Sequence, residues 1–216
     1  MAEEFVILVD ENDNPIGKEE KVKCHLPDGK LHRAFTALLF DESGRLVLTR
    51  RAKEKMLWSG DWDGTFASHP RESETYVSSG ERRMPEELGI KGKLDYLHKF
   101  EYHVPYKDVG SENEICGTLI GVIDKSTELK EIEGEIDEIK WISSNELLSE
   151  IKVNPEIYCP WMLIALELLD KSDKSMLEKH ANVLSTWMTS DVHEGLQNAI
   201  KTHLPQEKWR LVNEKN

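Results

Sequence analysis

Apolar and polar positions along this chain fall into short, turn-bounded runs over most of its length and into helical spacing only toward the end. Residues 5–10 read as a strand, and Asn12-Asp13-Asn14-Pro15 is turn chemistry leading to a second strand around 16–18, so the chain opens with a hairpin. Residues 34–40 and 45–50 read as two strands joined by the tight turn Asp41-Glu42-Ser43-Gly44. From 56 to 69 the chain is rich in Trp, Gly and Asp without a sustained period, which predicts an irregular loop carrying site residues. Ser73 or Thr75 can cap a helix that ends at Gly89, with Gly80 and Pro85 making its path uneven.

Residues 93–102, 114–124 and 136–142 carry the apolar, aromatic and alternating content of further strands. Ser143 or Ser144 then caps a short helix through Ile151, and Pro160-Trp161-Met162 opens a strongly apolar one to Leu169. Beyond Lys171, two amphipathic helices are expected, with Leu177, Leu184, Trp187 and Met188 on one side and Leu196, Ile200 and Leu204 on another. The class is mixed α and β. At 216 residues the chain is long enough for one sizeable core, read as a domain over 1–170 and a helical extension over 171–216. That extension could cover a site, pair two subunits or pad the fold.

Composition narrows the function. No apolar run reaches the roughly 20 residues of a bilayer span, so no membrane partner is expected. The acidic start Met1-Ala2-Glu3-Glu4 lacks the pattern of a secretory signal, which makes the cytoplasm the expected compartment. Cys24, Cys116 and Cys159 are odd in number and without zinc-finger spacing, which fits reduced thiols. A formal net charge of −13 argues against nucleic acid, because phosphate backbones are held by clustered cations. Monomer and homodimer stay open.

The chemistry concentrates in three imidazoles and two carboxylates. His25 and His32 flank the turn-rich segment Leu26-Pro27-Asp28-Gly29-Lys30-Leu31, His69 ends the irregular stretch, and Glu112 and Glu114, two apart, share a face on a strand. They are either one metal cage or unrelated surface residues. As a cage, nitrogen plus carboxylate oxygen suits magnesium or manganese, with zinc the alternative, and five ligands leave about one octahedral position open. Arg50, Arg51, Lys53 and Lys55 follow a strand directly, and Arg82 and Arg83 lie in the helix that precedes Gly89. Such cations can clamp a diphosphate even in an acidic protein.

Residues 68–90 resemble the Nudix signature G-x5-E-x7-R-E-U-x-E-E-x-G-U, matching at Glu74, Arg82, Glu86, Glu87, Gly89 and Ile90. Ser68 stands where the signature has Gly, and Arg83 where it has a catalytic Glu. A wider set of markers makes the chain similar to type 1 isopentenyl diphosphate isomerases, which have the Nudix fold. These are Cys24-His25, Leu31-His32-Arg33-Ala34-Phe35, Arg50-Arg51-Ala52, Gly60-Asp61-Trp62, Ser68-His69-Pro70, Glu87-Leu88-Gly89, Glu112-Asn113-Glu114 and Pro160-Trp161-Met162. The resemblance implies an α+β Nudix fold, a mixed β-sheet sandwiched between helices, acting on a small isoprenoid diphosphate. It implies that His25, His32, His69, Glu112 and Glu114 bind a divalent metal, and that Lys21, Arg51, Lys55 and Arg83 contact the diphosphate. Glu87 would hold a second magnesium.

The same resemblance assigns proton transfer to Glu114 with Tyr102 and cation stabilisation to Trp161. It also exposes a departure: Ala67 occupies the position of the family's catalytic Cys, and Ala carries no proton. Ser68, Cys116 and Cys159 are the nearby groups that could substitute. Three functions follow: an isomerase with altered acid and base groups, a Nudix hydrolase of a nucleoside or prenyl diphosphate, or a catalytically silent diphosphate-binding homologue.

Overall fold

A computed structural model describes residues 4–212; residues 1–3 and 213–216 of the two expected units lie outside the described residues. The opening hairpin is β1 (Phe5–Val9) and β2 (Pro15–Glu20), followed by the short α1 (Lys21–His25), β3 (His32–Phe40) and β4 (Leu46–Arg51). The stretch expected to be irregular contains two very short strands, β5 (Trp62–Asp63) and β6 (Phe66–Ser68). Next come α2 (Tyr76–Leu88), β7 (Asp95–Tyr106), β8 (Gly110–Val122), β9 (Ile136–Ile142), α3 (Ser144–Ile151) and α4 (Pro160–Glu167). The C-terminal segment forms α5 (Lys174–Lys179), α6 (Ala181–Leu184), α7 (Ser190–Ile200) and β10 (Trp209–Val212).

The sheet is mixed. Its path runs β10-β7-β8-β3-β1-β2, with β3 and β8 parallel and the other neighbours antiparallel, while β4 links β3, β5 and β9. β3 and β4 meet at the single pair Phe40–Leu46 and then diverge, so the tight turn joins two strands that mostly pair elsewhere.

Helix α2 has the ends its sequence promises. Thr75 and Ser78 form a reciprocal cap, a device that contributes about 1 kcal/mol, and Gly89 closes the helix at φ 70° in the left-handed region that other residues resist. Its buried face, with Met84 and Leu88, covers one side of the sheet beside Phe35, Leu39 and Leu119. On the other side lies α4, apolar from Pro160 to Leu166 and buried at every position, as an interior helix must be.

The C-terminal segment departs from two amphipathic helices. His180 separates α5 from α6, and the segment finishes as a strand, with Trp209 in register with Tyr102 on β7. Trp187, Leu196 and Ile200 are buried in the same core as α4, and the Trp187 indole donates to the Gly44 carbonyl at 2.7 Å. Among the described residues no helix is long and apolar enough to cross a membrane.

Candidate active site and metal centre

Strand register assembles the site. On β8, Glu114 lies opposite His32 of β3 on one side and Tyr102 of β7 on the other. Ser68 of β6 pairs with Phe35 of β3, which delivers the next residue, His69, to the same end. His25 comes from the last position of α1, where its Nδ1 lies 2.6 Å from the Lys21 carbonyl; His32 Nδ1 lies 2.8 Å from the Lys30 carbonyl. Carbonyl acceptors at Nδ1 aim each Nε2 at the centre, the usual support behind a metal-binding imidazole.

Those nitrogens converge. One ligand atom from each of His25, His32, His69 and Glu114 lies within 4.8 Å of all the others. His32 Nε2 and His69 Nε2 are 3.2 Å apart, and Glu114 Oε1 lies 3.3 and 3.4 Å from them. Bonds of roughly 2.1 Å at right-angled to tetrahedral geometry separate neighbouring ligand atoms by about 3.0–3.4 Å, so these spacings suit one divalent cation. Glu112 joins at the rim through His25 Nε2, 3.0 Å away. One buried polar atom here, His69 Nδ1, has no hydrogen-bond partner. The donor set fits a divalent metal ion. Glu87 stands outside this group, paired with Arg83.

Electrostatics bind the cluster together. Burial would lift the Glu114 carboxyl, but the hydrogen bond and charge of His32 and the Tyr102 hydroxyl, donating at 2.6 Å, hold it below its ordinary range. Burial, reinforced by Glu114 and Glu112, pushes the Tyr102 phenol far up, so it stays protonated. Burial and the charges of Lys21 and the neighbouring imidazoles keep His69 neutral.

A cavity of about 430 Å³ adjoins the cage. Lys21, Arg51, Lys55 and Arg83 line it together with Ala67, Tyr102, Glu114 and Trp161, so the expected phosphate contacts and proton-transfer residues share one space. Of the groups that could substitute for a thiol at position 67, Ser68 and Cys116 border the cavity; Cys159 is buried behind it. Burial raises the Cys116 thiol well above its ordinary value. Nearby, Lys55 is paired with Glu135, and Arg83 with Glu86 at 2.8 Å as well as with Glu87.

Glutamates of the signature helix are similarly engaged. Glu74 accepts from Arg82 Nε at 2.6 Å, and Glu86 pairs with both arginines. Sequence reading missed two members of the site region, Glu135 and Asp63. Asp63 lies one residue beyond the Gly60-Asp61-Trp62 marker, and no periodicity distinguishes it from Asp61.

A NUDIX domain family model matches residues 30–162. The chain is 40% identical over 174 residues to the isopentenyl-diphosphate Delta-isomerase of Haloarcula marismortui, covering 76% of this chain and 90% of that protein. It is 37% identical to isopentenyl-diphosphate Delta-isomerase 1 of Photorhabdus laumondii, covering 73% and 90%. Among solved structures, DR0079 from Deinococcus radiodurans superposes with a TM-score of 0.57 at 21% identity, over 69% of this chain and 89% of that one, a likeness of fold.

Proposed function

This chain belongs to the isopentenyl-diphosphate Delta-isomerase family of Nudix-domain proteins, and from that premise we propose that it interconverts isopentenyl and dimethylallyl diphosphate. One observation carries the reading: the hydrogen-bonded Tyr102–Glu114 pair, the Trp161 ring and four cations border a single cavity beside the His cage. The reaction moves a C=C bond by adding a proton to one carbon and removing another elsewhere, through a tertiary carbocation. Glu114 exchanges the proton, and Tyr102 holds its Oε2 in place. Trp161 offers a π face to the cationic carbon and no nucleophile to trap it.

A bound magnesium or manganese ion, held by His25, His32, His69, Glu112 and Glu114, supplies positive charge that neutralises the crowded carboxylates; zinc is the alternative ion. Lys21, Arg51, Lys55 and Arg83 hold the diphosphate, and Glu87 would hold a second magnesium. Because Ala67 has no proton, the transfer on the opposite face falls to another group. Hydrolysis is the weaker reading, since Arg83 replaces the signature Glu and the remaining carboxylates are tied to Arg82 and Arg83. A reducing cytoplasm belongs to this reading, supported by three buried, unpaired cysteines.

Incubation with isopentenyl diphosphate and magnesium in deuterated water tests the proposal. Deuterium in dimethylallyl diphosphate is the expected result. Released phosphate would identify a hydrolase, and tight binding without either product a silent diphosphate-binding homologue.

A further inference from the structure

At the N–H edge of the Trp161 ring sits a carboxylate that belongs neither to the cage nor to the cavity lining. Asp63, on β5, is 2% exposed. Its Oδ1 accepts from Trp161 Nε1 and from the Gly64 backbone N–H, each at 2.7 Å, and its Oδ2 accepts from Arg51 Nη1 at 3.2 Å. Arg51 in turn donates to the Trp58 and Leu57 carbonyls, both at 3.1 Å, and its Cζ lies 5.2 Å from the centroid of the Trp161 ring. Burial raises the Asp63 carboxyl above its ordinary value, while the three donors around it, with no acceptor among them, favour the anion.

Two consequences follow for a cation over Trp161. An indole N–H given to a carboxylate leaves more electron density in the ring, which strengthens its attraction for positive charge. The Arg51 guanidinium, stacked on the same ring, has the opposite effect, and Asp63 cancels its charge at close range. A bare carboxylate beside a tertiary carbocation would capture it as an ester. Here both oxygens are occupied by donors.

We propose that Asp63 is a positioning residue for the isomerisation: it locks Trp161 and Arg51 into one neutral unit and lends negative charge to the carbocation through the indole. The carbocation part of this inference rests on the isomerase reading; the locking of Trp161 and Arg51 does not.

Asp63→Asn tests it, because the amide oxygen still accepts from Trp161 and Gly64 while the charge is lost and an NH2 faces Arg51. The expected result is a kcat lower by about tenfold with a smaller change in KM, in keeping with the scale of a desolvated cation–π contact. In a Trp161→Phe background the same substitution should cost much less. In the 1H–15N spectrum the Trp161 indole signal, identified by its loss in Trp161→Phe, should move upfield in Asp63→Asn. Asp63→Ser carries the same expectations if Asp63→Asn does not fold. An unchanged kcat, or a loss of equal size in both backgrounds, overturns the electrostatic role. An unmoved indole signal overturns the positioning role whether or not the protein turns over. A wild-type protein that puts no deuterium into product overturns the isomerase reading instead, and the carbocation role of Asp63 with it.

Discussion

One face of β8 carries Glu112, Glu114, Cys116 and Thr118, and its two ends treat buried histidines in opposite ways. At one end Thr118 Oγ1 meets His98 Nε2 at 2.9 Å, and Ser172 Oγ meets His98 Nδ1 at 2.9 Å. Each ring nitrogen has a hydroxyl that can act as donor or acceptor, so a neutral imidazole is fully satisfied. At the other end three imidazoles and Glu114 point at one centre, with His69 Nδ1 left unpartnered. Burial is common to both, and satisfaction is what differs. The satisfied histidine ties the C-terminal segment to the sheet; the unsatisfied cluster is built for something that arrives from outside.

The largest expected effect sharpens that contrast. Glu114→Gln keeps the shape of the cage edge but removes the exchangeable proton, and kcat for isomerisation should fall about a thousandfold, within the usual range for an acid–base group. Steady-state kinetics on protein with an unchanged circular dichroism spectrum measures it. Next in size is metal. At a free concentration about a hundredfold above Kd, a cation bound to the folded state alone stabilises it by about 2.7 kcal/mol. Manganese or magnesium should therefore raise the unfolding midpoint of the wild type, and a chelator should reverse the rise. The shift should vanish in the double variant His25→Ala, His69→Ala and persist in His98→Asn. Loss of the shift in His98→Asn would break the comparison.

The smallest effect belongs to His98 itself. Burial pushes its pKa down to about 3, whereas an unfolded histidine titrates near 6.5. Between these values the unfolded chain binds a proton that the folded one refuses. Stability from a neutral His98 is thus complete above pH ~6.5 and lost as pH falls toward 3, by about 1.4 kcal/mol at one unit below 6.5. Urea unfolding at pH 7.5 and 5.5 should show a steeper acid loss in the wild type than in His98→Asn.

Much of the site was legible along the chain because its members carry rare chemistry at positions a strand or turn can align. Glu112 and Glu114 share a face by simple alternation, and His25 and His32 flank a turn. The α2 boundaries were legible too, since Thr75 and Gly89 act on their own neighbours. β5 and β6 were hidden because two or three residues carry no period, and they exist through pairing with β4 and β3. β10 was hidden for the same reason: Trp209 to Val212 becomes a strand by pairing with β7. Asp63 had no local signal at all, because its partners Arg51 and Trp161 are distant in the chain.

Local chemistry along the chain was enough to fix the α+β class, the capped signature helix, the candidate metal-ligand types and the absence of a thiol at Ala67. Those properties depend on side-chain type and near-neighbour spacing. Convergence of the imidazoles, the lodging of Trp187 in the main core and the carboxylate at the N–H edge of Trp161 were decided by the folded arrangement. Each requires segments far apart in sequence to meet, and such a meeting is set by sheet register and core packing rather than by any stretch of residues alone.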